Sequence, residues 1–312
     1  MKIFNNTTIP KNYKGSAIAI GNFDGIHKGH QKVFTKTKKF AKENKIKFGV
    51  LTFVPLPVMF FKRNIKNYRL VSENQKSQLL KKNGVDFVIN VRFNKVFSKT
   101  TAEKFIKNII FKRINPRVIF VSSNFRFGNK RKGDLYLLKK FSKKYNYSIV
   151  NTKAFRHKGK MVSSTLIRKS LQNGCLDLAN ILLSRTWSIE GIVKKGKKLG
   201  KKLGYPTCNM NVKNYVIPKI GIYAVKVSIG MNKKILNGVA YLGNRPTFGG
   251  KNIVLEVNIF DIKKNLYKKK LRVYFSKFIR GDEKFKNSLS LTMQMKKDVI
   301  FAKKHLKTKL AL

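Results

Sequence analysis

The sequence predicts two architectures in succession. An α/β domain with a parallel sheet occupies residues 1–185, and an antiparallel β-barrel or sandwich with a terminal helix occupies residues 186–312. Three observations predict this. Strand-length apolar runs alternate with helix-like segments up to about residue 150. From residue 187 strand-like runs follow one another, separated by turns of Gly, Asn and Lys. An amphipathic stretch opens near Leu289 and runs to the end.

Each element has its own signal. Residues 17–20 form a short apolar run that ends in a glycine-rich turn, and residues 30–41 have helical character. Residues 48–53 form the second run. Residues 72–82 read as a helix stopped by Gly84, and residues 87–91 as the next strand. Thr100 and Glu103 have capping-box spacing, with Phe105, Ile106, Ile109 and Ile110 as the apolar stripe behind them. Residues 118–121 are strand-like, and a further helix and strand follow through Val150. This βαβα order predicts a parallel sheet with helices on both faces. In the second half the strands are residues 187–193, 221–229, 235–242, 253–260 and 271–278. The character of the chain changes at 185–187.

Composition narrows the class. A hydrophobic share of 42% excludes a disordered polymer despite the charge of +57. That surplus admits a polyanion, an anionic membrane or an acidic substrate as partner. The basic residues, however, are 57 Lys and 13 Arg, in a chain also rich in Asn, Ile and Phe. AT-rich coding favours those types, so lysine reads as the filler of solvated positions. With 13 acids in all, the chain cannot rely on surface ion-pair networks, and each acid is worth locating. Cys175 and Cys208 lack metal-ligand spacing and suggest a reducing compartment. Residues 1–15 show no signal-peptide core, and the apolar stretch 50–61 is interrupted by Pro55 and Pro57. The expectation is a cytoplasmic protein without a membrane partner.

Two segments carry chemistry. GNFDGIHKGH, residues 21–30, follows the first strand and holds two of the four His. Gly21, Gly25 and Gly29 permit a tight turn and close backbone approach. His27 and His30 share one side of a helix's first turn, where free N–H groups attract phosphate. Two imidazoles there suit the charge that grows in adenylyl transfer. Asn124, at the carboxyl edge of a strand, reads as a ring-edge contact or as a turn former. Arg126 and Arg131 are arginines in a chain that prefers lysine, which suits phosphate or planar contacts. Ser163, Ser164 and Thr165 look like a helix N-cap cluster, with Arg168 one turn later.

The second segment is KKGKKLGKKLGYPTCN, residues 194–209. Gly196, Gly200 and Gly204 make a loop able to wrap phosphate, or a flexible basic linker. Thr207 and Asn209 offer hard oxygens suited to Mg²⁺. Glu256 stands alone in the apolar strand IVLEVNIF, with Leu255 and Val257 on the opposite face. It is either a general base or an outward-facing strand Glu.

These strings resemble a family. HxGH after a strand is similar to the nucleotidyltransferase superfamily. GNFDGxHxGH resembles its flavin branch, the bacterial bifunctional riboflavin kinase/FMN adenylyltransferases, also called FAD synthetases. TFVPLPVMFF (52–61), VSSNFRFGNKRKGD (121–134) and VSSTLIR (162–168) are similar to further family segments, with Val54 in place of an acid and Ser122 in place of Gly. GKKLGKKLGYPTCN (196–209) resembles the riboflavin kinase signature written PTAN, with Cys208 for Ala and Lys201 for Arg. GIYAV (221–225), GVAYLGNRPTFGG (238–250) and LEVNIFD (255–261) resemble its later blocks.

The resemblance implies a Rossmann-like nucleotidyltransferase domain followed by a six-stranded Greek-key barrel. It implies two ATP-dependent reactions, riboflavin to FMN and FMN to FAD, with Mg²⁺ accompanying ATP and flavins as substrate and product. It implies catalytic roles for His27, His30, Arg168 and Glu256. It implies nucleotide contacts by Gly21, Phe23, Asp24, Gly29, Ser164, Thr165, Gly196 and Gly204, and flavin contacts by Asn124 and Arg126. Thr207 and Asn209 would hold the metal. The competing readings are another HxGH adenylyltransferase and a nucleic-acid-binding protein. No RNP-like block, zinc spacing or KH-type GXXG supports the latter, and no specific nucleic acid is expected.

Overall fold

A computed structural model describes residues 1–62, 64–65, 67–196, 200, 203–230, 234–247, 250–262 and 264–308. The chain divides into two compact units. The first comprises residues 1–66 and 73–163, and the second residues 67–72 and 164–312.

Strands β1 (Lys2–Phe4), β2 (Ala17–Ile20) and β3 (Phe48–Val54) belong to the first unit, and β4 (Asn67–Arg69) to the second. The first unit continues with β5 (Phe87–Arg92), β6 (Val118–Ser122) and β7 (Ser148–Thr152), and then the small hairpin β8 (Arg156–His157) and β9 (Lys160–Met161). Its main sheet has the order β1-β5-β3-β2-β6-β7, with every pairing parallel. The helices between the strands are α1 (Lys28–Glu43), α2 (Pro57–Phe61), α3 (Glu73–Lys82), α4 (Lys95–Ser98), α5 (Ala102–Lys104) and α6 (Leu135–Ser142).

The strand period of two explains the layers. Ile18, Ile20, Leu51, Phe53, Phe87, Ile89, Ile119 and Val121 enter one core. Ala17, Ala19, Phe48, Val50, Val88, Val118 and Phe120 enter the other. The capping residue before α5 is Thr101, whose hydroxyl accepts from Lys104 N–H at 3.2 Å, rather than Thr100. Helix α5 then widens into a π-type segment, Phe105–Ile114, with Phe105, Ile106, Ile109 and Ile110 all buried. Strand β1 lies on the sheet's edge and is too short to give a sequence period.

The second unit is a closed six-stranded antiparallel barrel. Its strands are β10 (Ser188–Lys194), β11 (Cys208–Asn211), β13 (Gly221–Ile229), β14 (Ile235–Thr247), β15 (Gly250–Ile259) and β16 (Lys270–Arg280), in the order β10-β11-β15-β14-β13-β16. The two-residue β12 (Asn214–Tyr215) pairs with β4 outside the barrel. Leu271, Val273 and Phe275 alternate into the interior with Tyr223, Val225, Leu242 and Leu255, all fully buried. Register shifts between β13 and β16 supply the bulges that let the sheet curl shut.

Helices α7 (Ser164–Gln172) and α8 (Leu176–Leu183) belong to this unit, so the compact units divide at 163/164 rather than where the sequence changes character. Asn180 explains the attachment of α8. Its amide donates to the Phe275 carbonyl at 3.2 Å and accepts from Trp187 N–H at 2.7 Å. Glu190 ties in the excursion at 67–72. It accepts from Ser72 Oγ and pairs with Arg272 at 3.0 Å. Helix α9 (Ser288–Thr308) sets Ala302 and Leu306 on Ala224 and Phe260, and Arg280 grips the buried Asp298 through two guanidinium nitrogens.

Candidate active sites

In the first unit strand order reverses beside β2. The chain passes from β2 to β3 on one side and later returns to β6 on the other. Ligands of open parallel sheets bind at such a switch point, beyond the carboxyl ends of the strands. Residues 21–30 emerge there. The turn uses left-handed backbone at Phe23 (φ 48°), Gly25 (φ 83°) and Ile26 (φ 42°). Gly21 N–H donates to the Leu51 carbonyl at 3.1 Å, and the Asn22 carbonyl accepts from Thr52 Oγ1 at 3.1 Å and from Lys76 Nζ at 2.9 Å.

The two predicted histidines come together. His27 occupies the N-cap position of α1 and is buried, and His30 stacks on it with ring centroids 3.6 Å apart. A side chain at Gly29 would press on the His27 ring, so glycine leaves that imidazole its place. Asp24 is buried within the turn. Phe23 needs a distinction that the sequence did not supply. Its side chain lies in the core, edge-on to His30 and against Phe34, so only its backbone is available to a nucleotide.

Across the switch point, at the end of β6, Asn124 is exposed. Its side-chain oxygen accepts from Ser122 Oγ at 2.8 Å, so the NH₂ end is what it offers to a ring. Ser122 therefore orients Asn124. Arg126 pairs with Asp134 at 2.7 Å. The Leu137 N–H and that guanidinium hold the Asp134 carboxyl below the usual carboxylate range. Sequence reading missed an aromatic cluster past the end of β3. Phe60, Phe61, Phe93 and Phe97 meet edge to face at 5.3–5.7 Å, and Phe61 is 64% exposed. The apolar string 52–61 was the available signal, read only as a motif.

Ser164, Thr165 and Arg168 lie on α7 of the second unit. Thr165 is exposed, and Arg168 is buried with its guanidinium 3.6 Å from the Tyr68 ring centre and its Nε donating to the Tyr68 carbonyl at 2.8 Å.

In the barrel, strand register assembles the second constellation. Asn209 of β11 stands opposite Glu256 of β15, and Tyr241 of β14 flanks Glu256 on the other side. Thr207 Oγ1 donates to Glu256 Oε2 at 3.2 Å. Leu255 and Val257 point into the barrel, as alternation predicts, and leave Glu256 half-buried outside it. The glycines lie over this group. A Cβ on Gly196 would collide with the Asn209 amide, and one on Gly200 with the Tyr205 carbonyl. Gly204 has φ 82°, which favours glycine. Lys201 lies outside the described residues. Beside Gly204 opens a cleft of about 1030 Å³, lined by Pro206, Asn258, Phe260 and Lys264 among others. Asn258 holds its wall by donating to the Pro206 carbonyl at 2.7 Å. Burial and Asp282, to which its hydroxyl donates at 3.0 Å, push the Tyr241 phenol up to about 12.

Thr207 Oγ1, the Asn209 amide and the Glu256 carboxylate form a hard-oxygen set of the kind Mg²⁺ prefers. Among the described residues no group of three His, Cys, Asp or Glu forms a transition-metal cage.

Residues 9–166 match the FAD synthetase family, and residues 183–306 match the riboflavin kinase family. The chain is 38% identical over 293 residues to the bifunctional riboflavin kinase/FMN adenylyltransferase of Buchnera aphidicola subsp. Schizaphis graminum, covering 93% of this chain and 94% of that protein. It is 35% identical over 290 residues to the enzyme of the same description from Escherichia coli K12, covering 93% and 92%. A crystal structure described as a macrolide-efflux protein from Streptococcus pneumoniae has a TM-score of 0.83 at 28% identity, over 95% of this chain and 96% of that one. No helix among the described residues is long and apolar enough to cross a membrane.

Proposed function

The chain belongs to the family of bifunctional riboflavin kinases/FMN adenylyltransferases, enzymes of FMN and then FAD synthesis, and we propose a division of labour between its two sites. Residues 1–185 form the adenylyltransferase module and residues 186–312 the kinase module. The riboflavin kinase match begins at 183, near this boundary, and the FAD synthetase match stops at 166.

In the kinase module Glu256 accepts the proton of the riboflavin 5′-hydroxyl as the oxygen attacks the γ-phosphorus of ATP. The bond between the γ-phosphorus and the bridging oxygen breaks, and ADP leaves. The Thr207 hydroxyl holds the carboxylate by its 3.2 Å contact. Thr207 and Asn209 would hold Mg²⁺, which supplies charge neutralisation on the phosphates when bound. The backbone at Gly196 and Gly204 borders the triphosphate, and the cleft beside Gly204 takes the rest of the nucleotide.

In the adenylyltransferase module the FMN phosphate is itself an anionic nucleophile, so no general base is required. Its oxygen attacks the α-phosphorus of ATP, and the bond to the β-phosphate oxygen breaks to release pyrophosphate. The need is for positive potential where charge grows. His27, His30 and the N-terminal N–H groups of α1 supply it, and the turn at Gly21, Phe23 and Asp24 cradles the phosphates through its backbone. Family likeness assigns Ser164, Thr165 and Arg168 to the same step. Asn124 and Arg126, with the exposed Phe61, serve the flavin. Planar aromatic rings stack well on such a side chain. Two free cysteines fit a reducing cytoplasm.

The observation that carries this reading is the stacked His27–His30 pair in the first unit and the Thr207 contact on Glu256 in the second. The test is incubation of the full chain with riboflavin, ATP and Mg²⁺, with chromatography of the flavins. FMN is expected first and FAD after it, and chelation of Mg²⁺ stops the first step. A chain that forms neither flavin contradicts the proposal.

A further inference from the structure

Lysine in this chain reads as the filler of solvated positions, and one lysine breaks that rule. Lys76 on α3 is 4% exposed, the one lysine that is buried among the described residues. Taking an ammonium out of water is costly, and charge-assisted hydrogen bonds offset that cost only where their geometry is good. Methionine or leucine would fill the same volume without the desolvation. Compositional drift toward lysine does not account for a charge placed there.

Its contacts show what it holds. Lys76 Nζ donates to the Asn22 carbonyl at 2.9 Å and to Thr52 Oγ1 at 2.7 Å. Thr52 Oγ1 in turn donates to the same Asn22 carbonyl at 3.1 Å. The ammonium and a hydroxyl of β3 thus converge on one peptide plane of the phosphate turn. That peptide is trans, because the one cis bond among the described residues is Val54–Pro55. In a trans peptide the carbonyl and the following N–H point in opposite directions. A carbonyl pinned inward to Lys76 therefore turns the Phe23 N–H outward. The left-handed φ of 48° at Phe23 belongs to the same arrangement.

We propose that Lys76 is a positioning residue for adenylyl transfer: it fixes the Asn22–Phe23 peptide with its N–H aimed at the ATP phosphates. This rests on the assignment of adenylyl transfer to the turn at residues 21–30. Lys76 touches no reacting atom. It acts through the backbone, so its loss removes transition-state stabilisation more than ground-state affinity.

The test uses the full chain, with both activities measured on each preparation. Lys76→Met keeps the volume and removes the charge. FMN adenylylation should lose about 10²-fold in kcat, the magnitude for one lost oxyanion donor, while KM for ATP changes by less than about threefold. Phosphorylation of riboflavin should stay within about twofold of the parent, a split that general destabilisation does not produce. Thr52→Val keeps the ammonium and removes its partner hydroxyl. It should lower the same kcat by about fivefold, and it decides the matter if Lys76→Met fails to fold. Either variant, folded and with adenylylation within twofold of the parent, overturns the proposal. So does a parallel fall in both activities. His30→Ala separates the premise from the inference. If it leaves FAD formation intact, the assignment of the turn fails. If it abolishes FAD formation while folded Lys76→Met does not lower it, the role of Lys76 fails alone.

Discussion

The two candidate sites of this enzyme are built from different materials. The sheet site is made of backbone. Its turn runs through left-handed conformations at Phe23, Gly25 and Ile26, is held from below by Thr52 and Lys76, and opens onto a buried His27. The barrel site is made of side chains. Thr207, Asn209, Tyr241 and Glu256 come from or border three adjacent strands, and pairing sets their register. The architectures explain the contrast. An open parallel sheet leaves a crevice where strand order reverses, and loops fill it. A closed barrel has no such crevice, and its interior is filled with Leu255, Val257 and their neighbours, so chemistry goes to the outward-facing positions. The proposed division of labour matches this contrast. A site of fixed N–H groups and imidazoles suits a nucleophile that is already charged. A site with a carboxylate suits a hydroxyl that must lose a proton.

The contrast breaks if the sites are not separable. The largest effect expected is a double dissociation. Glu256→Gln should lower riboflavin phosphorylation by about 10²–10⁴-fold, the usual worth of a general base, while FMN supplied directly is still converted to FAD. His27→Ala or His30→Ala should do the reverse, with a loss of about 10²–10³-fold in FAD formation. A variant of either kind that loses both activities together contradicts the separation.

A smaller effect sharpens the claim that glycine backbone lies over the barrel's side chains. Gly196→Ala places a methyl against the Asn209 amide. Overpacking of that kind costs about 1–3 kcal/mol. KM for ATP in the kinase reaction should rise by about tenfold, and adenylylation of FMN should be unchanged. Steady-state kinetics with each flavin checks both.

The smallest effect concerns Cys208, next to Thr207. Burial pushes its thiol up, whereas Cys175 is exposed. A disulfide reagent at pH 8 should label Cys175 first, with Cys208 slower by about tenfold or more. The raised value also fixes a sign. The folded state favours the protonated thiol, so the stability it lends is whole below the ordinary thiol range and is lost as pH rises through the raised value. Equal labelling rates contradict a shielded thiol at the half-buried Cys208.

Much of this was legible in the sequence. Apolar runs located β2, β3, β5 and β6 to within a residue or so of their ends, because a strand buried on both faces writes a continuous apolar string, and the run at residues 221–229 matched β13. The HxGH spacing placed two imidazoles on one helical turn, and they stack. Alternation around Glu256 placed it outside the barrel. Other features were not legible for identifiable reasons. The predicted strands do not include residues 208–211, yet Cys208 begins β11, whose sequence CNMN has no apolar period. Thr100 and Thr101 are both competent caps, and backbone geometry chose the second. Phe23 matched a motif, but only packing shows that its ring belongs to the core.

By itself the sequence determined the order of elements, the family and the residue types that can do the chemistry, because these depend on patterns a few residues long. The +57 charge likewise reads from composition as a solvated lysine surface. Tertiary structure alone decided which residues meet across long stretches of chain: Thr207 with Glu256, Asn180 bringing α8 to the barrel, and Lys76 buried beneath Asn22. The physical reason is burial. A lysine on the solvent face and a lysine beneath the turn at Asn22 are the same letter, and only the packing of α3 against the sheet buries one of them.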